Sequence, residues 1–177
     1  MIKIDKVKYT KDIKKIVKSL DDEISFFSCV DISWYDRYSS ESYIYLLKDD
    51  EIVVGYLYGA YITEKLYNLF LNGEIINDYL IDEKEFINNS DYIYVASIVV
   101  KEKYRNKKYG SLLSEMFLND NNDKKIVALT ISKLGFKLFK KYFKLYKNID
   151  EKHNIFINWN SIFKCGIINS QKKFKTI

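Results

Sequence analysis

Proline is absent from this chain of 177 residues, and histidine, cysteine and glycine are scarce. His153 is the single histidine, and the two cysteines, Cys29 and Cys165, lie far apart with no CxxC motif. A structural zinc site uses about four nitrogen or sulfur ligands, so we expect no zinc site and no other bound metal. We predict instead that both thiols are small residues of the core.

Long apolar runs are also missing. The first residues, MIKIDKVKYTKDIKK, lack the apolar segment of a signal peptide. No run of about 18 apolar residues is present that would span a membrane. We therefore expect a cytoplasmic protein without a membrane span.

The charge balance is mildly basic, with a formal net charge of +5. Such a charge favours attraction to anionic ligands such as phosphates. A dedicated nucleic-acid binder would carry a denser basic cluster, so nucleic acid is an unlikely partner. One alternative is an RNA-facing patch of lysines around the helix that precedes residue 143 (Lys137, Lys140, Lys141 and Lys144).

Hydrophobic periodicity predicts one domain over residues 1–177. Strands are expected at 2–7, 42–48, 51–63, 92–100, 125–131, 143–149 and 154–159, with a last short strand within 162–177. Gly55 and Gly59 within the third strand suggest a bulge or a close backbone approach. Helices are expected after the caps Thr10 and Ser132, at 32–38, from 64 to an interruption at Gly73, and at 110–118. The helix after Ser132 should turn Leu134, Leu138, Phe139 and Tyr142 toward the core. Residues 64–90 have the character of an insertion between the third and fourth strands. The segment 125–131 should lie parallel to 92–100, since a helix connects them.

The strand 92–100 is the most informative element, because it leads through the basic turn KEKYRNKKYGS into the helix 110–118. Backbone N–H groups at a helix start have no intrahelical partner, and the helix dipole favours an anion there. The pattern predicts a phosphate-bearing ligand at residues 105–111. The phosphate loops GxxxxGK[ST] and GxGxxG are absent, as are HExxH, GxSxG and the kinase motifs.

The turn Arg105-Asn106-Lys107-Lys108-Tyr109-Gly110, followed by Ser111, resembles the R/Q-x-x-G-x-G/A signature of the GNAT superfamily of N-acetyltransferases. The order of elements is similar over nearly the whole chain. The resemblance implies an α/β (α+β) GNAT-like acyl-CoA N-acyltransferase fold, with a mixed, mostly antiparallel central sheet of six to seven strands flanked by helices. It also implies acetyl-CoA (coenzyme A) as the cofactor. Its pyrophosphate would lie on the N–H groups of residues 105–111, and its pantetheine arm would pair with the backbone of Ile98, Val99 and Val100.

The signature departs from the family pattern at Lys108, where the first glycine usually stands. Glycine allows the backbone to approach the pyrophosphate closely. A lysine can still present its N–H group if its φ angle is negative, and its ammonium can add a charged contact to a phosphate. Glu102 replaces the proline that usually follows the strand.

A second departure concerns the general acid. Many family members carry N-x-x-A-x-x-L-Y on the fourth helix, and this tyrosine protonates the leaving CoA thiolate. Here the run is Ser132-x-x-Gly135-x-x-Leu138-Phe139, so Phe139 would border the cofactor without donating a proton. Tyr142 lies three residues further on, on nearly the same helical face, and is the candidate catalytic residue. The alternative for Tyr142 is aromatic packing in the core.

No general base is evident on the strand 92–100, which offers Tyr92, Tyr94 and Ser97 but no carboxylate. His153 is one candidate, because its ordinary pKa suits proton transfer near neutral pH. Water alone is another, since orienting an amine against a thioester supplies much of the acceleration. The remaining candidates are the acidic residues of the 64–90 segment (Glu64, Glu74, Asp78, Asp82 and Glu83).

The predicted activity is transfer of an acetyl group to a primary amine by direct attack, with a backbone N–H near Val99 holding the oxyanion. The acceptor is a small-molecule amine or an amine of a protein or peptide. It would lie between the 64–90 segment and a helical region that contains Trp34, Tyr35 and Tyr38. The alternative is a CoA-binding or sensing module of the same fold with little or no turnover. The protein is expected to be a monomer or a homodimer.

Overall fold

The computed structural model describes residues 1–23, 36 and 42–158 of the chain. The strands are β1 (Ile2–Lys8), β2 (Tyr43–Asp49), β3 (Ile52–Tyr61), β4 (Tyr92–Val100), β5 (Lys125–Thr130), β6 (Lys144–Asn148) and β7 (Asn154–Ile157). The α-helices are α1 (Lys11–Asp22), α2 (Glu64–Asn72), α3 (Tyr109–Asp120) and α4 (Lys133–Tyr142). The predicted helix at 32–38 with Trp34, Tyr35 and Tyr38, both cysteines, and the predicted strand within 162–177 lie outside the described residues.

The seven strands form one sheet in the order β1-β2-β3-β4-β5-β7-β6. β4 and β5 run parallel, and the other recorded pairs are antiparallel. The predicted mixed sheet and the parallel placement of 125–131 are therefore confirmed. Among the described helices, none has an apolar stretch long enough to cross a bilayer.

Two layers of helices bury the two faces of the sheet. α1 and α2 cover one face, where Val17, Leu20 and Phe70 pack on alternate residues of the strands. α3 and α4 cover the opposite face, where Phe117 and Phe139 are buried. Because side chains alternate along a strand, each strand of the centre contributes to both cores.

Short polar side chains begin the helices where the sequence predicts it. Thr10 caps α1, and Ser132 caps α4 by accepting a hydrogen bond from the Gly135 N–H at 3.0 Å. Gly73 ends α2 in the left-handed conformation, with φ of 80°. One detail of α4 is wrong in the prediction, because Leu134 is 65% exposed and does not face the core. It lies in the first turn of α4, ahead of the residues that reach the sheet.

The β2–β3 hairpin turns at residues 50–51, one residue later than predicted. Gly55 and Gly59 of β3 suggested a bulge or a close backbone approach, and both occur. The register of β3 against β4 shifts at Gly59. At Gly55, a Cβ atom would lie 2.6 Å from the carbonyl oxygen of Val99. A side chain at residue 55 would therefore collide with the backbone of the second half of β4.

Candidate active site

A cleft opens in the middle of the sheet where β4 and β5 separate. Their ladder runs from the Tyr92–Lys125 pair to the Val95–Ala128 pair. Beyond it, β4 continues to residue 100 with β3 as its partner, and β5 continues to residue 130 with β7. Within the described residues, β4 from 96 to 100 has no strand on its β5 side. We call this gap the β4–β5 cleft; Ile98, Val99 and Val100, predicted to bind the pantetheine arm, form one wall of it.

The loop that follows β4 ends at the N-terminus of α3. The first α-helical hydrogen bond of α3 runs from the Leu112 N–H to the Lys108 carbonyl at 3.0 Å. The N–H groups of Tyr109, Gly110 and Ser111 precede it, and no side chain caps this helix. Three backbone donors and the positive end of a helix dipole therefore meet at one point, an arrangement that suits a phosphate.

The backbone of Lys108 corrects one expectation from the sequence. Its φ angle is +64°, in the left-handed region, and not negative. Asn106 is also left-handed, with φ of 63°. Residue 108 immediately precedes α3, so a lysine here takes a backbone conformation that glycine adopts without steric cost. Lys108 is exposed, and among the described residues no carboxylate pairs with its ammonium.

Hydrogen bonds fix the loop to the end of the sheet. Arg105 Nε donates to the carbonyl oxygen of Val100 at 3.0 Å. The Tyr104 hydroxyl donates to Asp49 Oδ2 at 3.0 Å, and this bond lowers the pKa of Asp49 and raises the pKa of Tyr104. Lys107 lies over the Tyr104 ring, 5.4 Å from its centroid. The loop therefore keeps its shape through contacts that do not use the N–H groups of α3.

Phe139 and Tyr142 lie at different depths of α4. Phe139 is 5% exposed and stacks on Phe143, with ring centroids 4.8 Å apart. The Tyr142 hydroxyl donates to Glu115 of α3 at 2.7 Å and accepts a hydrogen bond from Lys141 at 2.7 Å. Both hydrogen bonds lie on the outer surface between α3 and α4. Phe139 shares its core with the side chains of Ile98 and Val100, whereas the hydroxyl of Tyr142 faces the rim of that core.

On the other face of the sheet, three polar side chains form a chain of hydrogen bonds beside the cleft. Ser97 of β4 donates to the Tyr56 hydroxyl at 3.1 Å, and Tyr56 donates to Asp21 Oδ1 at 2.7 Å. Asp21 and Tyr56 are buried and Ser97 is half-buried. Residues 21, 56 and 97 come from α1, β3 and β4, so only the folded sheet brings them together.

Comparison with known proteins decides the family. The profile of the "Acetyltransferase (GNAT) family" matches residues 12–129, which is about two thirds of the chain. The chain belongs to the GNAT family. Comparison with curated proteins finds no sequence relative.

Solved structures of GNAT proteins share the fold. The ribosomal-protein-S18-alanine N-acetyltransferase from Escherichia coli is 9% identical, with a TM-score of 0.60, over 89% of this chain and 91% of that one. The GphF GNAT-like decarboxylase in complex with isobutyryl-CoA is 13% identical, with a TM-score of 0.65, over 88% and 98%. NAA60 of Arabidopsis thaliana, in complex with a bisubstrate analogue, is 11% identical, with a TM-score of 0.57, over 88% and 98%. These likenesses confirm the predicted GNAT fold, and the family match identifies an acetyltransferase domain.

The candidate bases from the sequence are spread over several places in this GNAT domain. His153 lies in the β6–β7 turn, where its Nδ1 is 2.7 Å from Asp150 Oδ2. The backbone N–H groups of His153 and Lys152 donate to Asp150 and lower the pKa of this carboxyl group to about 2. Glu64 accepts a hydrogen bond from Tyr92, and Asp78 accepts one from Tyr94 at 2.6 Å. The acidic segment thus contacts the first half of β4, where β5 is still paired.

The buried pair of Asp21 and Tyr56 was not among the predicted site residues. One signal in the sequence points to Asp21, which follows Val17 by four residues and so lies on the apolar face of α1. A carboxylate on that face is unusual. No comparable signal marks Tyr56, because an aromatic residue in β3 is expected in a core.

We expect Lys108→Gly to raise the free energy of unfolding of the ligand-free protein by about 1 kcal/mol, because glycine adopts the left-handed conformation without the steric cost that lysine incurs. The midpoint of thermal unfolding should rise by about 3 °C for a chain of this size. Lys107→Gly is the matched control, since residue 107 does not have a positive φ, and it should be neutral or destabilising. Urea and thermal unfolding measure the stability of both variants. If both are stabilised equally, the φ angle of residue 108 is not the cause of the stabilisation.

Proposed function

We propose that this GNAT protein transfers the acetyl group of acetyl-CoA to a primary amine by direct attack. The observation that supports it most is the direct continuity of the β4–β5 cleft with the uncapped N-terminus of α3. The two features are joined by a loop of eight residues, 101–108, that contains four lysines and one arginine. A ligand that combines an extended amide-rich arm with a pyrophosphate matches both features, and acetyl-CoA has this structure.

The cofactor would lie along residues 98–111. The backbone of Ile98, Val99 and Val100, which among the described residues has no strand partner on its β5 side, would pair with the amide groups of pantetheine, as an added strand does. The N–H groups of Tyr109, Gly110 and Ser111 would donate to the pyrophosphate, and the exposed ammonium of Lys108 would add a charged contact. Arg105, Asn106 and Lys107 would complete the loop around it, and Phe139 would form the apolar floor beneath Ile98 and Val100.

The acetyl group would then lie near the bulge of β4 at residues 96–97. A bulge leaves a backbone group outside the regular ladder, and an N–H group near Val99 would stabilise the oxyanion of the tetrahedral intermediate. We take the chain as one acetyltransferase domain with residues 64–90 inserted between β3 and β4. The acceptor would approach over α1 and this segment, and it is a small-molecule amine or an amine of a protein or peptide.

Isothermal titration with acetyl-CoA, followed by a CoA-release assay, tests the proposal. The amine panel is ethylamine, spermidine, lysine and a short peptide with an N-terminal alanine. We expect saturable binding and CoA release that depends on the amine. Absence of binding at millimolar acetyl-CoA would overturn the proposal.

The alternative is a CoA-binding or sensing module with the same fold, and one observation favours it. Phe139 occupies the position of the family's general acid, and the candidate substitute Tyr142 is engaged by Glu115. Binding of acetyl-CoA without CoA release for any amine of the panel would support this alternative.

Tyr142→Phe tests the role of the tyrosine directly. If Tyr142 protonates the thiolate, we expect kcat to fall by at least about 100-fold with little change in acetyl-CoA affinity. Glu115→Gln serves as the control, because it weakens the surface hydrogen bond and leaves the hydroxyl in place. Equal and small effects of both variants on kcat would remove Tyr142 from the catalytic residues and leave it as a link between α3 and α4.

A further inference from the structure

The chain of hydrogen bonds from Asp21 through Tyr56 to Ser97, which we call the Asp21 relay, leads from a buried carboxylate to the β4–β5 cleft. Asp21 is 3% exposed and Tyr56 is 1% exposed, whereas Ser97 is half-buried. Ser97 is therefore the end of the relay that a ligand can reach. It lies two residues beyond the last β4–β5 pair, at the bulge of β4.

Asp21 occupies an unusual place for a carboxylate. A buried carboxylate loses the solvation it has in water. Asp21 also lies in the last turn of α1, where the helix dipole disfavours negative charge. Phenylalanine at position 56 would fill the same volume of the core without requiring a hydrogen-bond acceptor. A buried carboxylate that a hydroxyl joins to the cleft is a candidate functional group.

The direction of the two hydrogen bonds suits proton uptake. Ser97 donates to Tyr56, and Tyr56 donates to Asp21. The lone pairs of Ser97 Oγ are thus available to accept a proton from a group in the cleft. Each hydroxyl can pass on its own proton as it receives another, so charge ends on the carboxylate without large movements of heavy atoms.

We propose that the Asp21 relay removes a proton from the acceptor amine, with Ser97 as the residue that contacts the amine and Tyr56 and Asp21 as positioning residues behind it. The inference rests on the proposed function and supplies the base that the sequence of β4 lacks. The acceptor ammonium gives one proton to Ser97, the Ser97 proton passes to Tyr56, and the Tyr56 proton passes to Asp21, which becomes a neutral carboxylic acid. The neutral amine then forms the C–N bond with the acetyl carbon, and the C–S bond breaks with its electron pair on sulfur. The second nitrogen proton goes to the thiolate, and Asp21 returns its proton to water.

Two small amines of similar size distinguish a defect in proton removal from a structural defect of the variant. Ethylamine is an ammonium at neutral pH and must lose a proton before it attacks. Methoxyamine is a much weaker base and is already neutral at that pH. A relay that deprotonates the acceptor is needed for ethylamine only, whereas a structural defect would lower turnover of both amines.

The test compares kcat for CoA release from acetyl-CoA in the wild type, Ser97→Ala, Ser97→Thr and Tyr56→Phe. We expect Ser97→Ala and Tyr56→Phe to lower kcat with ethylamine by at least about 30-fold and with methoxyamine by less than about threefold. Ser97→Thr keeps the hydroxyl and should retain most of the activity with ethylamine. Tyr45→Phe is the matched control, because Tyr45 is also buried and also donates to an aspartate, Asp120, at 3.0 Å, but lies on β2. This variant should change kcat equally with both amines.

Equal losses with both amines, or no loss in Ser97→Ala, would overturn the relay while leaving the proposed function intact. If the Tyr56→Phe variant does not fold, the Ser97→Ala variant tests the relay by itself, because the side chain of Ser97 is small and half-buried. If the proposed function itself is wrong, the wild type will release no CoA with either amine. That result would overturn the relay as well.

Discussion

Gly110→Trp is expected to lower the affinity for acetyl-CoA by at least about 100-fold. Gly110 lies in the first turn of α3, and a Cβ atom there would already be 3.3 Å from Leu138 Cδ2. An indole group cannot fit between α3 and α4 and must project toward the N–H groups at the start of α3. Loss of two hydrogen bonds to a charged phosphate, at about 1.5 kcal/mol or more each, corresponds to this change.

Gly110→Ala is the control for the indole. Its single methyl group meets only the end of a flexible leucine side chain, so acetyl-CoA affinity should stay within about fivefold, a difference of roughly 1 kcal/mol. Isothermal titration measures both variants, and circular dichroism establishes that both are folded. Full binding by a folded Gly110→Trp protein would exclude the N-terminus of α3 as the pyrophosphate site.

Gly55→Ala is expected to lower the free energy of unfolding by about 2–3 kcal/mol, at the upper end of the cost of overpacking. The new Cβ atom would lie 2.6 Å from the carbonyl oxygen of Val99 and 3.3 Å from the Cα atom of Val100. Both are backbone atoms of β4, so β4 itself must move. The midpoint of thermal unfolding should fall by about 6–9 °C.

The same movement would displace the wall of the β4–β5 cleft, so Gly55→Ala should also weaken acetyl-CoA binding. Gly110→Ala again provides the comparison, since its Cβ atom contacts a side chain and not the backbone. Urea unfolding of the two variants gives the difference in stability. Similar small changes in the free energy of unfolding of both variants would mean that β3 and β4 can separate at low cost near Gly55.

Family membership and chemistry depend on different parts of this molecule. The family profile covers residues 12–129, which include the β4–β5 cleft and the loop at residues 101–108. Phe139, which the resemblance places at the family's general acid, lies beyond that match. The proposed cofactor binding depends mainly on backbone geometry, whereas the proposed proton transfer depends on a few side chains.

Local patterns in the sequence predicted most of the secondary structure, because caps, turns and periodicity act over a few residues. Thr10 and Ser132 accept hydrogen bonds from N–H groups three residues later, and Gly73 ends α2 through its own φ angle. The uncapped N-terminus of α3, where the anion site is proposed, was predictable for the same reason. The exposure of Leu134 was not, since it depends on how far α4 projects beyond the sheet.

The fold family, the parallel β4–β5 unit and the loop proposed to hold the phosphate were all predictable, because each is encoded in a contiguous run of residues. Three further points emerge only from the three-dimensional fold: the left-handed φ of Lys108, the engagement of Tyr142 with Glu115, and the hydrogen-bonded chain from Asp21 through Tyr56 to Ser97. The first follows from the path that joins a strand to a helix in three dimensions. The other two join residues that are 27 to 41 positions apart, and such pairs are set by the register of the sheet and the packing of helices on it.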